Sequence, residues 1–97
     1  MADPTRVVYE MAISHAEFFR TLPAAMGKTP HSIEGNTVTA TWSGGTVKII
    51  LSPEGTRSFG PIPLPVTGVE IMFRGLSEEK ARDFIARFDN YYRRGGG

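Results

Sequence analysis

From Ala81 onward the apolar residues Ala81, Phe84, Ile85, Phe88, Tyr91 and Tyr92 recur at intervals of three and four. That period puts them along one stripe of an amphipathic helix. The other side carries Glu78, Arg82, Asp83, Arg87, Asp89 and Arg93. The pairs Glu78–Arg82, Asp83–Arg87 and Asp89–Arg93 all stand acid-first at i, i+4, the better orientation. Ser77 is the cap residue, and Arg93 and Arg94 suit the negative end of the helix dipole. A stripe this rich in aromatic rings is stable only when buried, so the rest of the chain must supply an apolar surface to receive it.

The strands supply that surface. Val7, Tyr9, Met11 and Ile13 alternate with Arg6, Val8, Glu10 and Ala12, a period of two. Val38, Ala40 and Trp42 alternate with Thr37, Thr39 and Thr41, and Val47, Ile49 and Leu51 with Lys48 and Ile50. Ser43-Gly44-Gly45 between them is a turn, which makes this a β-hairpin. Ser52-Pro53-Glu54-Gly55 is a second turn, and residues 56–59 add a short strand. Val69, Ile71 and Phe73 then alternate with Glu70, Met72 and Arg74.

A first helix opens at Ser14. Ser14 as N-cap and Glu17 at N3 form a capping box, and Ile13 and Phe18 have the spacing of a hydrophobic staple. Phe18, Phe19, Leu22 and Met26 make its apolar stripe. Pro23 removes a donor and predicts a kink or restart, and Gly27 predicts the stop.

The expected order is β-α-β-β-β-α. The expected fold class is α+β, an antiparallel sheet of three to four strands with both helices packed on one face. Residues 1–97 form a single domain, with an ordered core over about residues 6–94. The covered face takes Tyr9, Trp42, Ile49, Ile71 and Phe73 together with Phe18, Leu22, Phe84, Ile85 and Phe88. The opposite face receives Val8, Glu10, Lys48, Ile50, Glu70, Met72 and Arg74. Val8, Ile50 and Met72 are apolar residues set among charges, the composition of an interface. Salt bridges of Glu10 and Glu70 with Lys48 and Arg74 account for the two acids.

Phe59-Gly60-Pro61-Ile62-Pro63-Leu64-Pro65-Val66 alternates proline with large apolar residues. Proline disfavours a regular inner strand and favours an extended, polyproline-like chain. One reading is a rigid crossing loop whose Phe59, Ile62 and Leu64 close the edge of the core. The other is a preformed apolar lip for a small ligand or a partner.

Catalysis finds no positive signal. The chain has no cysteine, which removes thiolate zinc sites, cysteine nucleophiles and disulfides. Its two histidines, His15 and His31, have no spaced carboxylate partners, so neither a metal nor a cofactor is expected. His15 at the helix start is the one candidate general base. Ser43-Gly44-Gly45 lacks the lysine of a phosphate-binding loop, and no G-x-S-x-G elbow occurs. The formal charge is +1, whereas dedicated nucleic-acid binders carry a larger basic excess. No apolar run approaches a membrane span, and no secretory h-region follows Met1, so the expected location is cytoplasmic.

Helix, three-strand meander and helix over residues 14–94 resembles the element order of double-stranded-RNA-binding domains. That resemblance implies phosphate contacts from a lysine-rich start of the second helix. The matching segment here is Ser77-Glu78-Glu79-Lys80, with acid at that end. Nucleic acid is therefore not the expected partner. The expected function is a small non-catalytic interaction domain that contacts a protein partner or a second copy through the open sheet face and the proline segment. A nucleic-acid-binding module and a small enzyme using His15 are the alternatives.

If Phe84 is central to the core, Phe84→Ala lowers stability by about 3–5 kcal/mol in urea or thermal unfolding. A loss below about 1 kcal/mol would mean that this helix buries a different face.

Overall fold

The computed structural model describes residues 6–92, so Arg93 and Arg94 lie outside the described residues. The elements are β1 (Arg6–Met11), α1 (His15–Met26), β2 (His31–Glu34), β3 (Thr37–Trp42), β4 (Gly45–Leu51), β5 (Gly55–Phe59), β6 (Ile62–Arg74) and α2 (Glu78–Tyr92). The fold is α+β, with antiparallel strands in the order β1-β6-β4-β3-β2 and β5 paired with β6. Six strands replace the three to four expected. The additional ones are short. His31–Glu34, which shows no alternation in the sequence, forms a strand, β2, which turns into β3 through Gly35-Asn36 with Gly35 at φ 60°.

The proline segment differs most from expectation. It is neither a crossing loop nor a polyproline stretch, because Ile62–Val66 is the first part of the 13-residue strand β6. Ser58 faces Pro63 and Thr56 faces Pro65. Proline has no N–H, so the ladder to β5 falls to Ile62, Leu64 and Val66, and both prolines turn their ring nitrogens to the other edge. At ~3.3 Å per residue β6 is ~43 Å long. It therefore runs along the 48 Å long axis of the molecule, with β5 and its first part forming an arm.

The second part of β6 is the centre of the sheet, between β1 and β4. Its alternation sorts the side chains. Thr67, Val69, Ile71 and Phe73 are buried towards the helices, while Gly68, Glu70 and Met72 are half-buried and Arg74 is exposed on the other side. Val38, Ala40, Val47, Ile49 and Leu51 join the core from β3 and β4. Phe18, Leu22, Ala25 and Met26 of α1 and Ala81, Phe84, Phe88 and Tyr92 of α2 fill it from the helix side. Tyr9, Trp42 and Ile85, expected in the core, are half-buried at its margin. The rings form a chain: Phe73 meets Phe84 edge-on at 5.8 Å, Phe88 stacks on Tyr92 at 4.5 Å, and Tyr92 on Phe18 at 4.7 Å.

Local chemistry fixes the elements. Ser14 Oγ accepts from the Glu17 N–H at 3.1 Å, as the cap requires. Pro23 does not divide α1, which runs as one helix to Met26. Arg87 does not extend the i, i+4 ladder of α2; its Nε donates to Ala25 O at 2.7 Å and so serves the carbonyl end of α1. Glu78–Arg82 forms at 3.1 Å. The β3–β4 turn holds Ser43 at φ 51° and Gly44 at φ 84°, both left-handed, as a two-residue hairpin needs. Tyr92 donates its hydroxyl to Phe18 O at 2.8 Å, and burial pushes its phenol pKa far above the ordinary value, so it stays a donor.

Thr67 is the one fully buried polar side chain among the described residues, and its hydroxyl donates to Ile13 O at 2.7 Å. This bond ties the β1–α1 junction to the central strand. Thr67→Val keeps the shape but leaves the Ile13 carbonyl without that donor, which costs about 1–3 kcal/mol. Chemical denaturation measures the loss, and an unchanged midpoint would contradict the role given to the bond.

Candidate functional site

Both helices lie on one side of the sheet, so among the described residues its other face is open. The registers place Val8, Glu70, Ile50 and Thr37 opposite one another in one row across β1, β6, β4 and β3. Arg6, Met72, Lys48 and Thr39 make the next row. Val8, Met72 and Ile50 are therefore diagonal neighbours rather than an unbroken stripe, with Glu70 between Val8 and Ile50. Diagonal positions lie ~7–8 Å apart, still within reach of long side chains. Val8 is 62% exposed, and Ile50 and Met72 are half-buried.

The acids of this face are paired, but not with the expected bases. Glu70 accepts from Arg6 Nε, and Glu10 from Arg57 Nη2 at 2.7 Å. Glu10 pairs across the sheet with Gly68, where the Ser52 side chain lies close against the bare backbone. A recess of about 430 Å³ forms there, lined by Val8, Glu10, Ser52, Arg57 and Val66 among others. Lys48 and Arg74 are exposed. Ile62 on the arm is 58% exposed and Leu64 half-buried, while the side chain of Phe59 lies outside the described residues. Ile62 and Leu64 thus line the arm and do not close the core.

His15 is held. Its Nε2 lies 2.7 Å from Ser52 O, and because a carbonyl only accepts, this nitrogen is the donor. The His15 backbone N–H donates to Glu54 Oε1 at 2.9 Å, so a carboxylate from the β4–β5 turn meets the N-terminus of α1. Ser52 also donates its N–H to Gly68 O at 2.9 Å and accepts the Gly68 N–H on Oγ at 2.8 Å. His15, Ser52 and Glu54 form a clamp that fixes the turn from which the arm departs. His31, the first residue of β2, places Nδ1 2.9 Å from Thr29 O in the segment that precedes it. No group of three or more potential metal ligands occurs among the described residues. No helix among them is long and apolar enough to cross a membrane.

Arg57 and Glu54 were not legible as partners of Glu10 and His15. They come from turns and strands distant in sequence, and no local pattern announces such pairs. No family model, curated protein or solved structure matches the chain.

Glu54→Ala removes the carboxylate from the α1 N-terminus while leaving the Ser14 cap. The expected loss is about 0.5–1 kcal/mol, and salt screening reduces it. An unfolding series in low and high salt tests this; equal losses in both would contradict the charge-dipole origin.

Proposed function

We propose that the protein is a small non-catalytic interaction domain whose open sheet face packs on the same face of a second copy. The observation that carries this reading is the pattern of that face. Val8, Ile50 and Met72 are apolar positions on the side without helices, set in a checkerboard of Arg6, Lys48 and Glu70. Both signs are present, so a two-fold axis lets acids of one copy meet bases of the other. Five strands at ~4.8 Å spacing and ~20 Å length offer ~500 Å² per copy. Two faces thus cover ~1,000 Å², the low end for a specific interface, and the association should weaken on dilution.

A cytoplasmic location and the absence of a nucleic-acid partner belong to the same reading. They are supported by the composition and by the acid at Glu78 and Glu79, where α2 begins. The clamp around His15 supports a structural role for that residue rather than a catalytic one.

Ile50→Glu combined with Met72→Lys keeps the fold, read as unchanged circular dichroism. It halves the solution mass in light scattering. A wild-type protein that is monomeric at every concentration, or a mass unmoved by the double substitution, contradicts the reading.

A further inference from the structure

The edges of the sheet differ in what they offer a passing strand. Gly68 directs its carbonyl to Ser52 N, on the β4 side of β6. The Glu10–Gly68 pair is therefore not hydrogen-bonded, and by alternation neither are Val8–Glu70 and Arg6–Met72. The N–H and C=O groups of Arg6, Val8 and Glu10 thus point outward from β1, away from the sheet. Val7, Tyr9 and Met11 carry the ladder to β6. They are half-buried, whereas Val69 and Ile71, which face Tyr9 and Val7, are fully buried.

On the same side of β6, past the end of β1, the corresponding outward positions are Pro63 and Pro65. They have no N–H to give, which is how natural sheets blunt an edge. Among the described residues β1 has no such device: no proline interrupts it, its pairing has no bulge, and Val8 at its centre is 62% exposed.

From this we infer that β1 pairs antiparallel with β1 of a second copy, about a two-fold axis at Val8. The outward residues read Arg6, Val8, Glu10, which is self-complementary under that axis. Val8 meets Val8 of the copy, and each Arg6 meets a Glu10. Each outward pair exchanges two backbone bonds, about six in all. Arg6 already bonds Glu70 and Glu10 already bonds Arg57, so the new contact links them into a line of alternating sign, Glu70, Arg6, Glu10 and Arg57, across the junction. The axis is perpendicular to the sheet, so the two open faces join into one surface. This contact uses the edge and not the face, and it stands or falls independently of the face contact proposed above.

The test reads solution mass by sedimentation. In the Ile50→Glu, Met72→Lys background the edge contact remains, and the protein is expected to be a dimer. Adding Val8→Pro, which removes an outward N–H without touching the ladder to β6, takes it to a monomer. The second arm uses charge and does not depend on proline being tolerated. Arg6→Glu sets acid against acid in a homodimer, and Glu10→Arg sets base against base. Each variant alone is expected to be monomeric in that background, while an equimolar mixture forms a heterodimer because both opposed pairs become acid–base. A face variant that is already monomeric, or single-charge variants that do not recombine on mixing, overturns the edge contact. A wild-type mass that the face substitutions leave unmoved but Val8→Pro halves overturns the face contact and leaves this one standing.

Discussion

The structure depends on the unbroken alternation of β6 through the centre of the sheet. In one strand, successive residues must point to opposite faces, and successive amides to opposite edges. Between Thr67 and Phe73 no bulge interrupts the pairing to β1 and β4, so both alternations hold across the whole sheet. Thr67, Val69, Ile71 and Phe73 commit one face to the helices. A slip by one residue would bury Glu70 and Met72 and expose Val69 and Ile71, at ~1.5–3 kcal/mol for each apolar side chain returned to water. The open face and the free edge are therefore consequences of the core and not separate features.

The same strand manages two different edges. Along the arm its outward nitrogens are those of Pro63 and Pro65, so the segment that looked like a ligand lip acts in the fold as a guarded edge. The arm is anchored where it departs, by the Ser52–Gly68 bonds and the His15–Glu54 contact. At the outer strand β1 no other described strand pairs with the outward backbone, and its side chains are apolar at the centre and oppositely charged at the flanks. Self-complementary charges at the flanks favour a single register, which is what distinguishes the proposed pairing site from a general aggregation hazard.

Much of this was legible in the sequence. The stripe of α2, the phase of β1, β3, β4 and the second half of β6, and the Ser14 cap all follow from periodicity and cap chemistry, which are local. Three things were not. His31–Glu34 is only four residues long, too short to display alternation, so periodicity does not mark β2 as a strand. The prolines of Ile62–Val66 argue against an inner strand, and the sequence alone does not show that this stretch is an edge with its ladder carried by the residues between. The partners of Glu10 and Glu70 come from Arg57 and Arg6, at separations of 47 and 64 residues, where only the fold can choose among many exposed bases. Strand phase puts Val8, Ile50 and Met72 on the side away from the helices, while their diagonal arrangement follows from the register.

Residue-resolved amide hydrogen exchange on dilute protein, where association is minimal, tests the amide directions on which both contacts rest. The account predicts alternation along β1: the amides of Val7, Tyr9 and Met11 are protected by β6, and those of Val8 and Glu10 exchange at nearly the free-chain rate. Uniform protection along β1, or protection of Val8 and Glu10 with Val7 and Tyr9 free, would contradict it.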